Sequence, residues 1–267
     1  MIKLFKEDLI YKNNHIPRIL LGTAPFTAEG YFGHRSRLYQ LDLEDNPGNI
    51  AEIIKKANNI GVKGINLNTN EKLLKGFDIA IENGVEMSVV GIIGKSDINY
   101  MFPDYEKAKK ADWEEDINIL SKYNTKIILI DEFITDSYDF ELLENILTEI
   151  KDNGYISGII TSFPFKTTEK LLRSSIKDLF DFYMVPVNKL GYMMDTDSFL
   201  DNQRQKLSNL LNKLDKKVII NKILAAGIQQ PEEAFNFLKT LDYAEMVSIG
   251  VSSIKETEKD FGLLQKL

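Results

Sequence analysis

The 267-residue chain contains no cysteine. Disulfides, thiolate metal sites, iron–sulfur clusters and cysteine nucleophiles are thereby excluded. Histidine is nearly as scarce. His15 and His34 are the only two, too far apart for a His-rich motif, and no metal site is expected. No apolar run approaches the ~20 residues of a membrane-spanning helix, and no signal-peptide core is found at the N-terminus. A soluble, cytoplasmic protein without a membrane partner is expected. There is no long basic run, and the net charge is −7, so nucleic acid is not expected as a partner either. The first strand is not followed by a G-x-G-x-x-G, which argues against a doubly wound dinucleotide-binding sheet.

What is present is a repeating unit. Hydrophobic residues make up 43% of the chain, enough for one large domain over residues 1–267, and single barrels of about 250 residues are ordinary. Lys217 to Ser253 shows the unit most clearly. An apolar strand around Val218, Ile219, Ile220 and Ile223 meets Gly227. A helix then starts at Pro231, and a second strand ends in Gly250-Val251-Ser252-Ser253. A near-continuous apolar run suits a parallel strand buried on both faces. Pro suits the first helical turn, where its missing N–H costs nothing.

The same alternation runs back through the chain. Residues 1–16 read as a short hairpin with its turn at Asn13-Asn14. Ile19–Leu21 is the first strand. Then come a helix at Asn49–Ile60, a strand at Val62–Leu67, a helix at Glu71–Glu82 and a strand at Glu86–Ile93. A helix over 103–122 precedes the strand Lys126–Ile130, and Tyr138–Asp152 precedes Ile156–Ile160. Helices at Thr167–Leu179 and Thr196–Leu214 flank the strand Phe182–Val187, and Ile254–Gln265 is the last helix. Eight βα units at a spacing of about 30 residues predict a single (β/α)8 TIM barrel with a small N-terminal hairpin.

Chemistry in such a barrel sits at the C-terminal strand ends. Lys95 and Lys222 each follow an apolar strand, where desolvation lowers a lysine pKa and frees the amine as base or Schiff-base nucleophile. The alternative is that each pairs with Asp131 or Glu132, or snorkels to solvent. Strand alternation carries Asp131 onto the face of Ile127 and Leu129 and sends Glu132 to the other face. Ser252 and Ser253 open the last helix, with Glu256 at a capping-box spacing. Helix capping and phosphate binding both remain open there. The connection over residues 24–48 is far longer than usual, a length common in lids and binding loops. Thr23, Tyr31, His34, Arg35 and Arg37 are its candidate substrate contacts, since Arg forks a carboxylate or phosphate and His titrates near neutrality. An anionic small molecule would suit them. The alternative is that Arg37 pairs with Asp42 or Glu44 and the segment only covers the barrel mouth.

Several strand ends together resemble the aldo-keto reductases. Residues 13–23, NNHIPRILLGT, are similar to that family's opening turn and first strand. Gly94-Lys95 resembles the segment with its strand-three lysine, and residues 185–190, VPVNKL, the strand-six segment under the nicotinamide. Residues 221–227, NKILAAG, and Ile249-Gly250-Val251-Ser252-Ser253 resemble the last two strand ends, the latter holding cofactor phosphate. The resemblance covers nearly the whole chain. It implies an NADP(H)-dependent oxidoreductase of small carbonyl compounds, with Asn188, Lys222, Gly250, Ser252 and Ser253 as cofactor contacts. It also exposes departures. The family works with Asp, Tyr, Lys and His together. Here Asn66 stands at the aspartate position, the tyrosine that should follow is absent, and Asp131 replaces the histidine. Met184 stands where a glutamine is common. Only Lys95 matches.

Lys95 and Asp131 are therefore the candidate catalytic pair, with Tyr31 or Tyr39 able to supply an acid. Two other readings stand beside this one. One is a Schiff-base aldolase or lyase using Lys95 or Lys222. The other is a non-catalytic barrel that binds a ligand or partner through its long first loop.

Overall fold

A computed structural model describes residues 7–96, 98–100 and 102–266. Two short antiparallel strands, β1 (Leu9–Tyr11) and β2 (Asn14–Ile16), precede the main sheet. Eight parallel strands follow: β3 (Ile19–Gly22), β4 (Gly64–Leu67), β5 (Ser88–Ile93), β6 (Thr125–Ile130), β7 (Ile156–Ile160), β8 (Phe182–Pro186), β9 (Lys217–Asn221) and β10 (Ala244–Gly250). They pair in sequence order, and β10 closes on β3 to make an eight-stranded barrel. This is the predicted (β/α)8 architecture with its N-terminal hairpin. Residues 1–6 of the predicted hairpin segment lie outside the described residues.

Strand alternation sorts the apolar side chains into two layers. On β6, Ile127 and Leu129 point into the barrel, where they meet Leu20, Val90, Ile160, Phe182, Met184, Ile219 and Met246. Ile128 and Ile130 point outward to the helices, into a larger cluster with Ile50, Phe77, Ile146, Phe235 and Phe261. Burying each such side chain contributes about 1.5–3 kcal/mol. The hairpin seals the lower end of the barrel. Leu9 and Ile16 join the inner cluster, and Tyr11 sets its ring edge-on against Phe182 at 5.4 Å. The Tyr11 hydroxyl donates to Asp181, just ahead of β8. The hairpin turn falls on Lys12 and Asn13, both at positive φ, one residue earlier than the Asn-Asn pair suggested.

The helices show where local signals compete. Pro47–Ile60 begins at its proline and ends at Gly61, whose φ of 103° suits only glycine. The expected helix over 103–122 is two helices, Tyr105–Ala108 and Trp113–Leu120, because Asp104 and Asp112 each cap a new start. The helix expected at Thr167–Leu179 starts earlier and stops sooner, spanning Pro164–Leu171. Asp195 caps it from another connection by accepting from the Phe165 and Lys166 amides at 3.0 and 2.7 Å. The helix expected from Thr196 starts at Asp201. Among the described residues no helix is long and apolar enough to cross a membrane.

The packed interior makes a direct prediction. Ile219→Ala is expected to cost about 2–5 kcal/mol in urea unfolding, while Ile10→Ala on the exposed side of the hairpin changes stability by less than about 0.5 kcal/mol. Similar small losses at both positions would contradict a filled barrel.

Candidate active site

The C-terminal strand ends surround a cavity of about 320 Å³. Its floor is apolar, from Ile92, Ile160 and Met184, and its walls carry charge. Lys95 is presented by a sharp strand exit at Gly94. There φ is +74°, and a Cβ would meet the Ile134 side chain at 2.2 Å, so the turn requires glycine. Lys222 follows β9 in the left-handed region, at φ 54°, unusual for a residue with a side chain. That backbone turns its ammonium across the mouth.

The segment over residues 24–48 is partly helical. A 3-10 turn at Gly30–Phe32, a helix at His34–Tyr39 and a π-type turn at Gln40–Glu44 fold it down on the barrel. Phe26 anchors it, fully buried. The segment carries Glu29 to Lys95, where they form an ion pair at 2.8 Å. It also starts a run of ring contacts, Tyr39–Phe32–Tyr31–Tyr100–Phe133, at centroid distances of 5.0, 4.5, 5.2 and 5.0 Å. Arg35 reaches the other rim and donates to the Ala226 carbonyl.

The second half of the network centres on Glu132. The Tyr100 hydroxyl donates to Glu132 Oε1 at 2.6 Å, and Lys222 Nζ lies 3.4 Å from the same oxygen. Lys222 Nζ also stands 5.1 and 5.4 Å from the Tyr31 and Tyr100 ring centroids, within cation–π range. Asp131, 2% exposed, caps the short helix Glu132–Thr135 by accepting from the Phe133 amide. The chain leaves the strand at Asp131, so alternation no longer separates it from Glu132. Both carboxyls line the cavity, which corrects the expectation that only one would.

Burial and neighbours set the protonation states. Burial raises the Asp131 carboxyl most. Lys95 opposes that rise and Glu132 adds to it, leaving the pKa at about 7. Burial also penalises the Glu132 carboxylate, but Lys222, Lys95 and the Tyr100 hydroxyl together hold its pKa below the ordinary value. At Lys95 burial pulls the ammonium down, and Glu29, Asp131 and Glu132 overcome it, so its pKa is raised. The lowered lysine expected from desolvation is therefore reversed at Lys95. Asp131 exchanges its proton near neutrality beside a fixed positive charge, an arrangement suited to general acid chemistry. The Asp260 carboxyl, which also lines the cavity, is raised by burial to about 6.

The residues singled out by sequence divide. Thr23, Tyr31, Arg35, Lys95, Asp131, Lys222, Gly250 and Ser252 line the cavity. His34 and Arg37 are exposed on the outer side of their helix, and Arg37 donates to Gln40 rather than pairing with Asp42 or Glu44. Asn188 is buried but turned to its own loop, donating to the Tyr192 carbonyl and accepting from its amide. Ser253 caps the helix Ile254–Leu264 by accepting from the Glu256 amide. The Ser252 amide and hydroxyl both donate to Glu256 Oε2, at 2.7 and 2.8 Å. Sequence reasoning missed Glu29, Tyr100 and Gln229 as site residues. Tyr100 had one usable signal, its place in the connection that leaves the Lys95 strand. Glu29 and Gln229 had none, because tertiary folding alone brings them in.

No protein-family model and no curated protein matches the chain. Solved structures do. A Pseudomonas aeruginosa protein named as an aldo-keto reductase superposes with a TM-score of 0.64 at 14% identity, covering 99% of this chain and 96% of its own. The holo form of a Bacillus halodurans aldo-keto reductase gives 0.63 at 13% identity, covering 98% and 91%. An aldo/keto reductase of Klebsiella pneumoniae in complex with NADP and acetate gives 0.61 at 11% identity, covering 97% and 89%. The fold of this chain is thus the aldo-keto reductase barrel over nearly its whole length.

The raised Asp131 pKa has a signed consequence for stability. Its folded value, near 7, exceeds the ordinary 3.8, so the folded state binds more protons between those limits. Stability from this group is complete below about pH 4 and is lost as pH rises through about 7. Asp131→Asn is expected to gain stability relative to wild type between pH 4 and 8, read as urea midpoints. A constant difference across that range would contradict the assignment.

Proposed function

We propose that this protein is an oxidoreductase that reduces a small carbonyl compound with a nicotinamide dinucleotide, NADP(H), and uses Asp131 as its proton donor. The observation that carries the reading is the buried Asp131 carboxyl, its pKa raised by burial, lining with Lys95 the mouth of an aldo-keto-reductase-type barrel. NADP is bound in the Klebsiella structure, and NADPH in a second solved structure of the same fold.

The residues present fit such a ligand. On the β9 and β10 side, the buried Gln229 carboxamide and Asn221 Oδ1 have no hydrogen-bond partner among the described residues, and both residues line the cavity. Ser252 lines the same wall just before the last helix, where N–H groups favour a phosphate, and Lys259 lines it from the middle of that helix. Three features oppose a phosphate there: Glu256 already accepts from Ser252, Asp260 adds a second carboxyl to the lining, and Lys259 is paired with Glu232 at 3.4 Å.

When bound, a reduced nicotinamide supplies two electrons and one hydrogen to the carbonyl carbon. The chain supplies the rest. Asp131 donates the proton that the carbonyl oxygen needs, and Lys95, held charged by Glu29, stabilises the developing negative charge. Tyr31 and Tyr100 wall the cavity with apolar surface, and Tyr100 orients Glu132. In this reading Asp131 does the work for which the family uses tyrosine. A Schiff base on Lys95 is disfavoured, because a nucleophilic amine must first lose its proton and the Glu29 and Glu132 carboxylates oppose that.

A carbonyl panel with NADPH tests the proposal. Asp131→Asn is expected to lower turnover by about 10²–10⁴-fold while leaving dinucleotide affinity unchanged. Wild-type turnover should fall as pH rises through about 7. Full activity in the variant would remove Asp131 from the mechanism, and absence of any dinucleotide binding would sink the oxidoreductase reading. Glu256→Gln should tighten NADP+ by about 3–10-fold and leave NAD+ unchanged, since it removes one negative charge from the phosphate position.

A further inference from the structure

The geometry points to Gln229 as the residue that reads the base end of the dinucleotide, pairing its carboxamide with the amino–imino edge of a purine. The inference rests on the dinucleotide reading above and adds the residue that would discriminate the base.

Gln229 is 5% exposed and lines the main cavity, yet neither its Nε2 nor its Oε1 has a partner among the described residues. A buried amide without partners destabilises the fold, and an apolar side chain of similar shape would sit there more favourably. Asn221 Oδ1, at the end of β9, is a second acceptor without a partner on the same wall.

The backbone holds Gln229 firmly. Gly227 and Gln229 both donate their amides to the Leu224 carbonyl, at 2.8 and 3.2 Å, and Ile228 donates to Ala225. Lys222, Ala225 and Ala226 all take positive φ within this turn. Three non-glycine residues in that region cost free energy, which marks the turn as shaped by more than chain reversal. Pro231 then starts the next helix.

Barrel topology decides which end of a ligand Gln229 meets. β9 neighbours β10, whereas β5 and β6 lie across the barrel. Lys95 and Asp131 follow β5 and β6. Gln229, Ser252 and Lys259 belong to the opposite wall. A ligand with its reacting group at Asp131 therefore brings its far end to Gln229. A glutamine carboxamide places one donor and one acceptor in a plane, which matches the N6 donor and ring-nitrogen acceptor of adenine. The nicotinamide carboxamide offers the same donor–acceptor chemistry, but it belongs at the reactive end.

The test uses ADP-ribose, which keeps the adenine but lacks the nicotinamide, and nicotinamide mononucleotide, which keeps the nicotinamide but lacks the adenine, with NADP+ as the whole ligand. Gln229→Met is expected to raise the melting temperature of the ligand-free protein by about 2–4 °C. It should weaken ADP-ribose and NADP+ by about 10–100-fold and leave nicotinamide mononucleotide unchanged. Gln229→Glu, which keeps the shape but removes the donor, should lose ADP-ribose similarly. Unchanged ADP-ribose affinity in both variants overturns the role of Gln229 alone. Loss confined to nicotinamide mononucleotide overturns it as well. A wild type that binds neither ADP-ribose nor NADP+ overturns this inference together with the dinucleotide reading.

Discussion

Two ammonium groups and three carboxyls share one poorly hydrated space at the barrel mouth, and much of the site geometry answers to that crowding. Lys95 pairs with Glu29, and Lys222 pairs with Glu132. Asp131 is left as the surplus acid. Buried charge is costly unless paired, so the surplus group is the one that keeps its proton toward neutral pH. The same arithmetic explains why Lys95 stays charged although burial opposes it. Removing a member would shift the others, because Glu29, Asp131 and Glu132 all act on Lys95, and Lys222 and Lys95 both act on Glu132.

The first connection is part of this balance. Glu29 and Tyr31 come from a segment that barrels of this kind do not need for closure. The segment is held by the Glu29 ion pair, by the Tyr31–Tyr100 ring contact and by Arg35 on the Ala226 carbonyl. It therefore makes the roof of the cavity and shields the charges that it helps to neutralise. An apolar floor below and aromatic walls around complete a setting in which electrostatic effects act at close range.

The fold matches that of solved aldo-keto reductases, and the polar groups at its mouth differ from the set that the family resemblance implies. Asn66 hydrogen-bonds the Val90 carbonyl and offers no carboxylate. In the proposed reading the acid is Asp131 at the end of β6, and the tyrosine that donates to Glu132 comes from the connection after β5. A barrel tolerates such exchange because its strands are fixed by interior packing, whereas its strand ends are fixed by their own loops.

Much of the architecture was legible in the chain, for a simple reason. Strand and helix periodicities, Gly stops and Pro starts are local, and eight buried parallel strands leave few ways to close. The strand-end rule likewise put Lys95, Asp131, Lys222 and Ser252 at the mouth. It failed where a side chain turns on a local bond or where remote segments meet. Asn188 folds back on Tyr192, Ser253 caps a helix, and His34 and Arg37 lie on the outward side of a helix that the sequence presented only as a loop. Glu29, Tyr100 and Gln229 came from connections whose paths depend on contacts up to two hundred residues away, such as Arg35 with Ala226. The amino-acid order by itself determined the barrel and the acidic, lysine-bearing character of its mouth. Tertiary structure alone decided which charges pair and which carboxyl keeps a proton, because burial and mutual distance set those energies and neither is written in local sequence.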